Sequence, residues 1–275
     1  MDLIELTKNA QERALAKQEQ LALFPNWGQN VRAFPNSLAR CALFNVTHAR
    51  PQRRMFKDEP IASMEGLDIQ YTGEELRQDD EDVFLQLLHL ARHSPAGTRI
   101  EFTGYTMLKQ LGWDVSHAYY ERLYKSLKRM TPTMVRIRHD ALPVAYHGSL
   151  IRKFLTPADG LTDGKRRCVV YLEREIVSLF GGDEYSRIEW EQRLKLGRLA
   201  KWLHSFYHSH RDPLPFKVAT IHKLCGSTTK KLFHFRSDMN SALAELVTVG
   251  FLRDGKIDAN DLVQVKRAPR RLVAE

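Results

Sequence analysis

The sequence predicts a helix-rich α+β fold, with two tandem winged-helix domains preceded by a partly flexible N-terminal arm. Three observations carry that expectation. Amphipathic helical stretches come in pairs separated by a glycine stop, each pair is followed by basic strand-like runs, and the pattern occurs twice within 275 residues. That length exceeds one average domain, and either half can bury a core. We expect the arm over residues 1–75, the first domain over 76–182 and the second over 183–275.

The arm contains Lys8, Lys17, Arg32, Arg40, Arg50, Arg53 and Arg54, with prolines at 25, 35, 51 and 60. Beyond a possible helix from Glu5 to Leu23 it has no sustained periodicity, so it reads as a helix and a loosely ordered basic segment. From Asp79 the pattern changes. Asp79 and Asp80 offer helix caps, Glu81 and Asp82 suit the first turn, and Val83, Phe84, Leu87, Leu88 and Ala91 recur at helical spacing as far as His93. After Ser94-Pro95-Ala96-Gly97, Thr98 to Thr103 alternates as a strand and Tyr105 to Leu111 forms a short helix ended by Gly112. Ser116 then caps a longer helix through Met130. On it Tyr120, Leu123, Tyr124, Leu127 and Met130 form the packing stripe, while Arg122, Lys125 and Arg129 lie opposite. Met134 to Asp140, Ser149 to Leu155 and Cys168 to Leu172 have strand character and supply the first basic wing.

The plan then repeats. Leu194 to Tyr207 is amphipathic, Val218 to Leu224 is a short helix closed by Gly226, and Ser227 can cap a long helix to Val247. Thr106 precedes Gly112 by six residues, and Thr220 precedes Gly226 by the same six. On the long helix Leu232, Phe235, Met239, Ala242, Leu243 and Leu246 form the packing stripe, with Lys230, Lys231, His234, Ser237 and Asn240 toward the other side. A hairpin turning at Asp254-Gly255 and returning through Leu262 to Arg267 is the second wing.

Lysine and arginine total 42 against 33 acids, a net charge of +9 with pI near 9.5, which points toward a nucleic-acid partner. Cys41, Cys168 and Cys225 are too scattered for a zinc knuckle and odd in number, so a reducing, cytoplasmic setting is expected. No apolar run reaches the roughly 18 residues of a membrane span.

Enzyme-like motifs lack their partners. Gly181 to Tyr185 imitates a GGDEF signature without the alternating elements that fold needs. His208-Ser209-His210 imitates the paired histidines of nicking nucleases, yet no tyrosine follows Tyr207. His204 with His208, and His89 with His93, have metal spacing but no evident third ligand, and no phosphate-binding loop of the G-x-x-x-x-G-K-[ST] type occurs. The expectation is a non-enzymatic protein with no cofactor and no metal.

QLALF (Gln20 to Phe24), EFTGYTMLKQLGW (Glu101 to Trp113), YYERLYKSLKRM (Tyr119 to Met130) and KKLFHFRSDMNSALAEL (Lys230 to Leu246) together resemble the TrfA replication initiators of broad-host-range, IncP-type plasmids. The resemblance covers nearly the whole chain and implies an iteron-binding protein. Such a protein binds direct repeats at a plasmid origin as a monomer, promotes opening of an adjacent A+T-rich segment and takes part in copy control. It would contact double-stranded repeats, the single-stranded DNA of the melted origin, the host initiator, the replicative helicase and the polymerase sliding clamp. Self-association to a dimer is also expected. The competing class is a two-winged-helix repressor that binds an operator as a dimer.

On this resemblance Gln20 is the polar anchor of a clamp peptide and Leu21, Leu23 and Phe24 its apolar plug. The alternative is that Leu21, Leu23 and Phe24 staple a helix end to its own domain. For DNA, the first candidates are Arg122, Lys125, Lys128 and Arg129 on a helix, with Arg136, Arg138, Arg152 and Lys153 behind it. The second set is Lys230, Lys231, His234 and Arg236, with Ser237 and Asn240 able to read bases. Arg236 lies near the packing stripe and is the one most able to bond internally. Lys266, Arg267, Arg270 and Arg271 could follow a phosphate backbone or form a basic tail.

Overall fold

Strand pairing begins inside the segment expected to be a loose arm. The structure, a computed structural model, describes residues 24–47, 52–93, 99–140, 145–157 and 167–269. β1 (Val31–Pro35) pairs antiparallel with β11 (Tyr185–Glu189), and β2 (Phe44–Asn45) pairs parallel with β5 (Leu76–Arg77). α1 (Asn36–Ala39) lies between β1 and β2. The apolar residues scattered through this stretch, Phe34, Leu38, Leu43 and Phe44 among them, are buried. They lack helical or alternating spacing because short elements of different kinds share them. Pro35 and Pro60 end strands, where a missing N–H costs little.

A four-stranded antiparallel sheet follows in the order β3 (Met55–Pro60), β4 (Leu67–Glu74), β7 (Met134–His139) and β8 (Tyr146–Gly148). Burial alternates along β4, placing Leu67, Ile69 and Tyr71 inward, and Val135 and Ile137 of β7 continue that face. The run expected in the first wing therefore belongs to this sheet, and Arg136 and Arg138 go with it. Its apolar alternation needs a partner of the same period, which β4 provides.

Two units then share one plan. In the first, α2 (Gln78–Ala91) precedes β6 (Arg99–Thr103), the seven-residue α3 (Gly104–Gln110) and α4 (His117–Met130). β9 (Lys153–Leu155) and β10 (Arg167–Tyr171) complete a sheet in the order β6-β10-β9. A 3-10 helical segment, Arg174–Asp183, leads to β11. In the second unit, α5 (Trp190–Leu194) and α6 (Arg198–His208) precede β12 (Phe216–Lys217), the seven-residue α7 (Val218–Leu224) and α8 (Leu232–Thr248). β13 (Leu252–Ile257) and β14 (Leu262–Arg267) give the sheet order β12-β14-β13. In both sheets the first strand pairs with the third, and the third with the second.

The glycine stops have the same geometry. Gly112 and Gly226 follow their short helices with φ of 66° and 61°, in the left-handed region that favours glycine. At Gly226 a Cβ would also lie 2.8 Å from Cβ of Asn45.

Asp254-Gly255 is not the second hairpin's turn. Both residues lie in β13, beside a register shift between Leu252 and Asp254, and a Cβ on Gly255 would come 3.1 Å from Leu243 of α8. The glycine thus allows strand and helix to approach closely. The turn sits at Asp258–Asp261, where Oδ1 of Asp258 accepts from the backbone N–H of Asn260 at 2.8 Å and Leu262 at 3.0 Å.

One buried apolar cluster runs from Phe24 to Trp190, and a second contains Val46 and then Leu196 through Val263. β11, expected to open the second domain, remains bound to the first cluster through β1. The changeover therefore falls between Trp190 and Leu196. Among the described residues, no helix is long and apolar enough to cross a membrane.

Candidate nucleic-acid interface

The acidic run at the start of α2 organises the cationic helices. Asp80 is fully buried, and its Oδ1 accepts from Ser126 Oγ at 2.7 Å and from Nη2 of Arg129 at 2.8 Å. Its Oδ2 accepts from Nη1 of Arg53 at 2.7 Å and from the backbone N–H of Arg77 at 3.0 Å. The helix starts earlier than the sequence predicts, with Arg77 as N-cap, so Asp79 and Asp80 fall in its first turn and Asp80 closes a capping box by accepting from the Arg77 N–H. Burial converts the same carboxylate into an anchor for α4.

This corrects the role of Arg129. With a side chain 9% exposed and bound to Asp80, it holds α4 in place instead of facing outward. Lys125 and Lys128 do face outward, Lys125 4.0 Å from Glu121 one turn away. Arg122 is divided between roles. Its Nε is 3.3 Å from Asp79, its guanidinium lies 4.4 Å over Trp113, and its side chain remains 43% exposed. Arg136 pairs with Asp68 at 2.6 Å, while Arg138 is exposed with Asp140 at 3.8 Å. Arg152, just before β9, and Lys153, its first residue, are exposed and lie over the ring of Tyr171.

α8 carries the second set. Phe235, Met239, Ala242, Leu243 and Leu246 are buried, as their spacing predicts, whereas Leu232, expected in the same stripe, is 45% exposed at the first position of the helix. Lys230, Lys231, His234, Ser237 and Asn240 are all exposed, so five of the six expected residues share the outer side of α8 and the turn leading into it. Arg236 bonds to Asp261 and, through Nη2, to the carbonyl of Asp258 at 3.1 Å. Its guanidinium therefore fastens α8 to the turn of the β13–β14 hairpin. The helix starts at Leu232 rather than near Ser227, whose Oγ instead accepts from the backbone N–H of Thr229 at 3.2 Å.

Phe233 escaped the sequence reading. It is 77% exposed beside His234, among the cations at the start of α8. The signal was its position, out of phase with Phe235, Met239 and Ala242 by the helical rule.

Gln20, Leu21, Leu23, Arg270 and Arg271 lie outside the described residues. Phe24 is 6% exposed, edge-on to Phe180 with ring centroids 5.4 Å apart and to Trp27 at 6.2 Å. Its ring docks on its own unit.

Comparison with known proteins places this arrangement in a family. A family model described as TrfA protein matches residues 3–267. The chain belongs to the TrfA family. A member of that family, the plasmid replication initiator protein TrfA of Escherichia coli, is 33% identical over 279 residues, covering 97% of this chain and 72% of its own length. Crystal structures of domains 2 and 3 of RctB share the fold: one at TM-score 0.56 and 14% identity covers 86% of this chain and 99% of its own. A second, at TM-score 0.54 and 13% identity, covers 82% and 95%.

Proposed function

We propose that this TrfA-family chain is a plasmid replication initiator that reads direct repeats at an origin with two winged-helix units. The observation that carries the proposal is the repeated plan. Each half runs from a first strand through a seven-residue helix, a left-handed glycine and a longer helix to two further strands, the last of which pairs with the first. That plan suits a helix entering the major groove with a hairpin beside the backbone.

Within it, Lys125, Lys128, Lys230, Lys231 and His234 meet phosphates, and Ser237 and Asn240 face base edges, Asn240 having the amide geometry that suits adenine. Arg122 can reach a phosphate if its contact with Asp79 is exchanged. Arg129, Arg136 and Arg236 serve as positioning residues. Lys230→Ala should weaken repeat and scrambled duplexes alike and shallow the salt slope by about one. Asn240→Ala should cost about 1–3 kcal/mol on the repeat and little on scrambled DNA. Titration of both duplexes by fluorescence anisotropy checks the pair. Equal losses on both duplexes for Asn240→Ala would remove it from the reading face.

The clamp peptide remains part of the proposal, supported by the Gln20-Leu21-Ala22-Leu23-Phe24 pattern and the family. Burial of Phe24 adds a condition: clamp engagement must withdraw that ring from Phe180 or rely on Gln20, Leu21 and Leu23. Contacts with single-stranded DNA, the host initiator and the helicase, and dimer formation, complete the proposal by family. Opening of the duplex would draw on binding and bending energy.

A further inference from the structure

His204 and His208 lie one turn apart on α6, and the fold brings Glu189, the last residue of β11, to the same point. We propose that Glu189, His204 and His208 bind one divalent cation of the zinc class. One ligand atom from each lies within 4.8 Å of the others, and Nε2 of His208 is 2.9 Å from Oε2 of Glu189. A tetrahedral zinc centre needs ligand atoms about 3.4 Å apart, given bonds of about 2.0–2.1 Å. Small side-chain movements bring the three atoms to that spacing, and the Glu189 side chain, 41% exposed, leaves the site open to solvent for a water as fourth ligand.

Each group is prepared for that role. His204 is completely buried, and Nδ1 of its ring has no hydrogen-bond partner. Its other nitrogen is 3.3 Å from Oε1 of Gln192, a contact that fixes the tautomer and leaves Nδ1 with its lone pair. Phe251 covers both imidazoles, with centroids 4.5 and 4.6 Å away, and excludes water from that side. Arg267, stacked over Phe251, opposes a cation by its charge, which the Glu189 carboxylate offsets. Two imidazole nitrogens and one carboxylate favour zinc over magnesium or calcium, which take oxygen ligands.

The site has a structural consequence. β11 is paired with β1 in the first unit and α6 belongs to the second, so a bound ion ties the two. The proposal stands apart from the DNA reading.

The test uses the full, untagged chain, stripped with a chelator and titrated with zinc chloride and separately with cobalt chloride. Mass-spectrometric metal analysis should find about one ion per chain, the cobalt form should show the visible ligand-field bands of a tetrahedral centre, and zinc should raise the melting temperature. Glu189→Gln should weaken zinc binding by at least about tenfold, and His204→Phe, which keeps a ring against Phe251, should abolish the cobalt bands. Glu189→Gln decides the matter if His204→Phe does not fold. Uptake far below one ion, or unchanged binding in Glu189→Gln, overturns the proposal, leaving a carboxylate–imidazole contact only.

Discussion

At the residue scale, burial separates cations that hold the fold from cations that face solvent. Arg129 and Lys128 are neighbours on α4, yet Arg129 reaches Asp80 inside the protein and Lys128 is exposed. Arg129→Ala should cost about 2 kcal/mol of stability by removing a charged hydrogen bond from a fully buried carboxylate. Lys128→Ala should leave stability nearly unchanged and weaken DNA binding, as urea denaturation beside anisotropy would record. Sequence spacing could not separate the two, since both fall outside the packing stripe and only the tertiary position of Asp80 distinguishes them. Phe24→Ala should destabilise by about 3 kcal/mol, the cost of deleting a buried aromatic ring, so a clamp test belongs on Gln20 and Leu23. His89 adds a pH dependence. Trp27 donates to its Nδ1 at 3.1 Å, and burial, helped by Arg32 and Arg92, lowers its pKa from 6.5 to about 3. The unfolded chain takes up a proton there below pH 6.5 that the folded chain does not, so stability falls from about pH 6.5 toward 3. His89→Gln should shallow that decline by up to one proton in denaturation midpoints followed between pH 7 and 4.

At the element scale, helices were more legible than strands. α2, α4, α6 and α8 announce themselves by apolar residues at three- and four-residue spacing, and Gly112 and Gly226 mark the same stop twice. The segment from Phe24 to Arg77 concealed its order because β1, β2 and β5 are short and pair with distant partners, Val31 with Glu189 being the extreme case. A two-residue strand such as β2 has no period to read. Asp254-Gly255 misled for the opposite reason, since the dipeptide that favours a turn serves here to pass a strand close to Leu243. Five of the six side chains expected on or just before α8 are exposed as their spacing implied, whereas the wing cations were misplaced with the strand that bears Arg136 and Arg138.

At the scale of the whole molecule, one acidic stretch joins the halves. Asp79 and Asp80 hold α4, and the next two residues of α2 turn toward the second unit. Arg193, fully buried, reaches Asp82 at 2.7 Å and Glu81 at 3.1 Å, while Lys201 of α6 also bonds Asp82 and Ser205 donates to Glu81 at 2.8 Å. Arg193→Ala removes the one buried guanidinium that both carboxylates share, leaving Asp82 with Lys201 and Glu81 with neutral donors, and should cost about 3–5 kcal/mol, with the melting transition as the readout. The network ties α2 of the first unit to α5 and α6 of the second, and a fixed spacing of the two outer helix faces is what the proposed reading of one repeat requires. The most direct measurement is fluorescence anisotropy of the full chain on a duplex carrying one direct repeat from the plasmid's origin, against a scrambled duplex, across a salt series. Preference for the repeat on the order of 10³-fold or more near physiological salt is the predicted result. Equal binding of both duplexes, fading together as salt rises, would contradict it.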